Sequence, residues 1–522
     1  MKTTYSRPTY KHILPPLSFT QCFKEGKIDM RLYHMYRKRK KRMQEREEEI
    51  LRLASSLAEK NSSTKVIHSS QPRRRTYSRS VKKHHIYYRK ENGETAILTP
   101  RDTTWYKLYL QSEPTNGRLA AIFRNRFRMP YSCFMSLAKE LQESPMFRRY
   151  NSLDCIGVPS IDIRLLLLGT LRYMSRSFTF DDLEEATAIS RESHRLFFYT
   201  FIKYGSTHLY KKHVTDKAKQ YFNSSDMKCF SIAGFNGCVG STDAIHIEML
   251  SCPTWTNIRH KSYKLQNPAR SYNVTVSHER QILHCTQGHP ATYNDKSIIN
   301  SDPFYNNIKD GKTFSKKDFT LFEYDSEGNV VEAHYKGGWL MVDNGYMDWS
   351  CTIPPMKKSL SYKFIRFSEW LESMRKNVEC TFGVMKKRFG ILKAGSRLFS
   401  MNSCDEIFLT CCSLHNMLLF EDNLDEWDLD DVQNANNNRF ALNRLENPSF
   451  DCFINNETIE VEEYFTSRDQ YNVKKATIHG KRWVHKLSYK TFYKLLVQHF
   501  DIRFKNKSVH WPKNFKILPK EI

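Results

Sequence analysis

Three acidic residues in this chain are of the type and order that metal-dependent phosphoryl chemistry needs. They are Asp243 in CVGSTDAIHIEM, Asp343 in GGWLMVDNGY and Glu379 in RKNVECTFGVMKKRFG. Two carboxylates about 4 Å apart repel by roughly 4 kcal/mol at an effective dielectric of 20, so such a cluster is stable mainly with cations in it. Hard oxygen ligands select Mg²⁺ or Mn²⁺ over zinc. Two such ions about 3.5–4 Å apart activate a water or a 3′-hydroxyl and stabilise the leaving oxygen of an in-line displacement. No protein nucleophile is then required. A fourth acid, Asp295, opens a predicted helix after GHPATYN. It either caps that helix or reaches the ions from the side.

The elements that must position these acids are legible around them. CVGSTDAIHIEM alternates in the β manner, and SYNVTVS and QILHCT read as two further strands turning at His278-Glu279-Arg280. A helix is predicted from about Asp295, and GGWLMVDNGY is a fourth strand buried through Trp339–Val342. Long helices follow over about Arg366–Phe389 and Cys404–Leu419. This α/β order is that of a ribonuclease-H-like catalytic core, a mixed sheet with flanking helices. In that core the first and fourth strands are neighbours and the late helix crosses them, so Asp243, Asp343 and Glu379 would converge.

Helical spacing puts Arg375, Glu379 and Lys386 on one face, with Phe382 and Phe389 on a neighbouring core stripe. An Arg–Glu pair four residues apart is common on surface helices; the two strand-borne aspartates give this one its meaning. His246 lies on the strand face opposite Asp243 and reads as structural. Cys411, Cys412 and His415 sit in an apolar helix without a second ligand pair, so core thiols are expected there rather than zinc. The 13 cysteines show no CxxC spacing.

The charge points to a polyanionic partner. The chain of 522 residues carries a formal net charge of +26, which draws it to nucleic acid. Residues 1–90 hold 24 Lys/Arg against 7 Asp/Glu, which is +17 in a sixth of the length. A basic, disordered arm is expected over 1–95, serving DNA contact or nuclear import, or merely solubility. Residues 100–230 are predicted helical, with helices at about Asp162–Met174, Phe180–Thr187 and Ser190–Lys203 and Ser190 as N-cap of the last. That spacing fits a helix-turn-helix over 162–203 presenting Arg191, His194 and Arg195 to DNA, or an ordinary helical bundle. The loop between the first two strands interleaves Arg259, His260, Lys261, Lys264 and Arg270 with Trp255 and Tyr263, which fits a DNA-backbone contact or a solvated hairpin. Arg375, Lys386, Lys387 and Arg388 complete the candidate DNA-binding cations.

The catalytic unit is expected over 235–420, with an irregular polar insertion at 303–336. An acidic linker and a basic C-terminal segment fill 421–522. The N-terminus has no apolar stretch typical of a secretory signal, and no apolar run approaches the roughly 18 residues of a membrane span. A soluble, intracellular protein is expected.

In combination and order, GSTDAIHIEM, RSYNVTV, QGHPATYND, WLMVDNGY, RKNVECTFGVMKKRFGIL and CSLHNML resemble the Harbinger-type DDE transposases and their domesticated nuclease relatives. The blocks span about Gly237–Leu419, roughly a third of the chain. The resemblance implies Mg²⁺-dependent cleavage of double-stranded DNA at terminal inverted repeats, joining to target DNA, a Myb-like DNA-binding partner, a homo-oligomer and action in the nucleus. It carries the catalytic acids onto Asp243, Asp343 and Glu379, and also counts Asp295. Which aspartate is the second member of the triad stays open, with strand order favouring Asp343. Two departures stand out: Gly288-His289-Pro290 replaces the family's usual turn, and the basic arm is not a family hallmark. The competing expectation is a domesticated, non-catalytic DNA-binding or chromatin protein that keeps only the fold.

Overall fold

The computed structural model describes residues 87–89, 93–115, 117–152, 160–223, 228–262, 265–356, 361–419 and 465–510. Met1–Lys83 and His84–Ile522 divide into separate units, and only the second is described. The basic arm as far as residue 86, Tyr263, Lys264 and the acidic stretch 421–431 lie outside the described residues.

The helices before the sheet include α1 (Gly117–Phe127), α2 (Tyr131–Glu143), α3 (Ile163–Arg176), α4 (Phe180–Thr187) and α5 (Arg191–Tyr204). Their limits follow from local chemistry. The Asp162 carboxylate accepts the Arg164 N–H to start α3, and Thr179 and Asp182 form a capping box on α4. Ala188 then turns in the left-handed region (φ 53°), and the Ser190 hydroxyl accepts the Ser193 N–H to start α5. Leu165–Leu168, Phe197, Phe198 and Phe201 bury the shared face.

The sheet and the elements around it are, in chain order, β1 (Cys238–Glu248), β2 (Ala269–Val276), β3 (Ile282–Cys285), α6 (Asp295–Ser301), α7 (Pro303–Lys309), the hairpin β4 (Asp318–Tyr324) and β5 (Val330–Lys336), β6 (Trp339–Met341) and β7 (Thr352–Ile353). Strand order in the main sheet is β7-β6-β1-β2-β3. β1 is antiparallel to β2 and parallel to β6; β2 is antiparallel to β3, and β6 parallel to β7. The strand that carries Asp243 and the strand that leads to Asp343 are thus neighbours. Two layers cover it. Ile245, Ile247, Tyr272 and Val274 pack in the core that includes the helical segment, α8 (Tyr362–Arg388) and α9 (Met401–Leu419). Val239, Leu283, Leu340 and Val342 pack with Ile299 of α6 and Ile308 of α7.

One expectation is corrected. Residues 303–336 are not irregular: they form α7 and a seven-pair antiparallel hairpin. The C-terminal segment folds as α10 (Ser467–Ala476), β8 (Thr477–Ile478), β9 (Lys481–Trp483) and α11 (Tyr489–Lys505), and β9 adds parallel to β5 to make a second sheet. The physical reason is a shared core. Leu321 and Tyr335 of the hairpin bury with Phe492 and Phe500 of α11 and with Phe367 and Trp370 of α8. The buried Glu323 carboxylate accepts from both the Tyr335 hydroxyl and the Arg482 guanidinium, so hairpin and C-terminal segment complete each other. No helix among the described residues is long and apolar enough to cross a membrane.

Candidate metal and DNA-cleavage site

The register runs up to the two aspartates, with Asp243 inside β1 and Asp343 two residues past the end of β6. Ser241 of β1 pairs with Met341 of β6 in parallel, and Asp243 and Asp343 each lie two residues further on. Adjacent strands are about 4.8 Å apart, and within β1 a step of two keeps the Asp243 side chain on the face of Ser241. For Asp243 that face carries Ile245 and Ile247 and is the one α8 crosses. Arg375 of α8 meets it there, donating Nη1–H to Asp243 Oδ2 at 2.8 Å and Nη2–H to Glu379 Oε1 at 2.9 Å. Asp343 also lies within electrostatic reach of that guanidinium.

Asp295 arrives from the other side. Asn294, not Asp295, caps α6, its side chain accepting the Ser297 N–H at 2.9 Å. The capping explanation therefore does not apply to Asp295, whose Oδ2 lies 3.0 Å from where a Cβ on Gly345 would stand. A side chain at Gly345 would crowd that carboxylate. Tyr346, next in the chain, is buried, and its hydroxyl donates to Asn273 Oδ1 at 3.3 Å. Burial pushes the Tyr346 phenol far above its ordinary value, and the nearby Asp295 and Asp243 charges add to the shift. Asp243, Asp343 and Glu379 thus act on the buried Arg375, and Asp295 and Asp243 on the buried Tyr346.

Their electrostatics differ. Burial raises the Asp243 carboxyl above its ordinary range, while Arg375 and the Ala244 N–H pull it back. Desolvation works against the Arg375 charge, yet Asp243, Glu379 and Asp343 together hold its pKa above the usual value. The Arg375 side chain is 8% exposed and that of Glu379 51%. One end of the cluster is therefore buried and neutralised, and the other opens to solvent. The donors are carboxylates without thiolate or imidazole, which fits a hard divalent cation. Among the described residues no three acids, histidines or cysteines close on a common ion position; Arg375 itself lies between Asp243 and Glu379.

The expected DNA-facing cations divide. Arg191 and Arg195 are exposed on α5, Arg195 paired with Glu192 at 2.7 Å. Lys261 and Lys387 are exposed, and Lys386 is half-buried. Arg270, Arg375 and Arg388 are buried, as are His194 and His260, which corrects their reading as surface contacts. Arg270 is inward because β2 starts one residue before it, so that it can pair with Asp405 of α9 and donate to the Gly288 carbonyl at 2.6 Å. His194 is inward because its Nε2 meets the Thr187 hydroxyl at 2.8 Å. Tyr346 and Asn273 escaped the sequence reading; the aromatic three residues past Asp343 was their one signal.

The family model described as plant transposon protein matches residues 217–427, a segment containing all four acids. A protein described as ALP1-like from Arabidopsis thaliana is 22% identical over 202 residues, covering 38% of this chain and 47% of the relative. The match thus spans about half the length of that relative. No solved structure matches. Over this segment the chain is similar to plant transposon proteins.

Proposed function

We propose that this chain is a Mg²⁺-dependent DNA endonuclease of the Harbinger transposase type. It would cut double-stranded DNA at the terminal inverted repeats of an element and join the ends to target DNA, in the nucleus. A homo-oligomer and a Myb-like DNA-binding partner belong to the same reading. The strand order β7-β6-β1-β2-β3, with α8 packed on β1, supports a ribonuclease-H-like core. The observation that carries the reading is the Arg375 bridge between Asp243 of β1 and Glu379 of α8, with Asp343 within electrostatic reach of the same guanidinium.

Asp243, Asp343, Asp295 and Glu379 are the residues that would hold the ions. When bound, two ions would activate the attacking oxygen and stabilise the leaving one. The remaining work falls to this chain's own groups. Arg375 fixes Asp243 and Glu379 relative to each other across the β1–α8 contact. Tyr346 is buried within electrostatic reach of Asp295 and Asp243. Lys386 and Lys387, on the same helix, draw a phosphate backbone towards the open end.

A second reading, a domesticated DNA-binding protein without catalysis, draws on one observation: Arg375 already neutralises Asp243 and Glu379. Cleavage of the DNA flanking the chain's own gene separates the two. The nuclease reading expects cuts with Mg²⁺ that stop with EDTA, at unchanged DNA binding. Binding without cleavage in Mg²⁺ or Mn²⁺ would leave only the second reading.

A further inference from the structure

The turn between β1 and β2 displays two large apolar side chains to solvent. Trp255 is 84% exposed and Ile258 88%, more than any other large hydrophobic side chain among the described residues. Their backbone is nevertheless held firmly. The Thr256 hydroxyl and N–H both donate to the Pro253 carbonyl, at 3.1 and 3.0 Å. The Thr256 carbonyl accepts from Arg259 and His260, closing the short helical turn Asn257–His260. His260 is buried, with Nδ1 3.3 Å from the Ala269 carbonyl, and the Thr292 hydroxyl donates to the Arg259 carbonyl at 2.8 Å. A flexible loop would fold such side chains away. This one fixes them outward.

The surroundings indicate what they meet. Arg259 and Lys261 are exposed beside them, and Arg259 Nη2 donates to the hydroxyl of Tyr293, itself exposed. Tyr293 lies two residues before Asp295, so the turn borders the carboxylates through the segment Thr292–Asn294. It also sits at the end of β1 towards which that strand runs after Asp243. Apolar side chains flanked by cations on a rigid turn match the chemistry of a duplex: stacked bases inside, phosphates outside. A protein surface would satisfy the apolar pair but not the cations next to a site for phosphodiesters.

We propose that Trp255 and Ile258 form a wedge that enters the base stack of duplex DNA beside the scissile phosphate, with Arg259 and Lys261 holding the flanking backbone. The inference rests on the nuclease reading for its location and goes beyond it in assigning strand opening to this turn. An aromatic ring and a branched aliphatic chain can part a base step that a purely charged loop cannot.

The test uses the full chain and the duplex flanking its own gene. Permanganate oxidation of thymines, run in EDTA, reads unstacking without cleavage. Wild type should raise thymine reactivity next to the cleavage position, and the double variant Trp255→Ala/Ile258→Ala should lose that rise. With Mg²⁺ the double variant should cut the paired duplex about tenfold more slowly, and a mismatch at the same step should restore the rate. Both side chains are exposed, so unchanged thermal unfolding is expected and checks the fold. Unchanged thymine reactivity in the double variant overturns the proposal, as does a cleavage defect that the mismatch does not restore. Loss of self-association with thymine reactivity intact would make the turn a protein interface instead. Thymine reactivity that rises in a wild type unable to cut sinks the nuclease reading alone.

Discussion

At Asp243 a half-buried carboxylate depends on a single guanidinium, and the consequences of removing either are distinct. Asp243→Asn, Asp343→Asn or Glu379→Gln should each lower Mg²⁺-dependent cleavage by at least about a hundredfold while leaving duplex binding nearly intact; full activity would remove that residue from the site. Arg375→Gln leaves Asp243 without its partner and should cost on the order of 2 kcal/mol in chemical denaturation. That is below the 3–5 of a fully buried broken pair, because Glu379 and part of Asp243 remain solvated. The same variant should bind Mn²⁺ more tightly than wild type, since a competing cation has been removed. The strands β1 and β6 and the helix α8 were legible in the sequence because each is a segment of unambiguous period. The burial of Arg375 was not, since a spacing of four says that Arg375 and Glu379 share a helix face without saying which strand that face meets.

Helix α5 is fixed by a cap at one end and a buried histidine on its inner face. Ser190→Ala should cost about 1 kcal/mol through loss of the cap, read by thermal unfolding. His194 is buried, and desolvation lowers its pKa from 6.5 to about 4. The unfolded chain therefore takes up this proton first as pH falls. The stability it supports is full above about pH 6.5 and is lost progressively towards pH 4, by about 2–3 kcal/mol for this residue alone. His194→Gln should flatten the pH dependence of stability in that window; an unchanged slope would place the titration elsewhere. Gly169→Ala should also destabilise, because its Cβ would stand 2.6 Å from the His194 ring. These helices were predictable within two residues since caps and period agree there. The direction of His194 was not, because its partner Thr187 belongs to the preceding helix.

Across the whole molecule, the hairpin and the C-terminal segment form a common core that neither completes alone. Truncation after Leu419 should expose Leu321, Tyr335, Phe367 and Trp370 and give an aggregating or markedly less stable product by thermal unfolding. The sequence hid this because β4 and β5 are polar on their outer face, and their partners lie well over a hundred residues away. Deleting residues 1–83 removes much of the excess positive charge and should lower the slope of log K against log salt for DNA binding by at least about 2. An unchanged slope would make the arm a bystander.

Electron paramagnetic resonance of Mn²⁺ titrated into the full chain measures ion holding directly, without reference to any particular DNA. About two ions should bind, and Asp243→Asn/Asp343→Asn should weaken that binding on the order of tenfold or more. Absence of Mn²⁺ binding, or binding unaltered in the double variant, would contradict a shared divalent-ion site at these carboxylates.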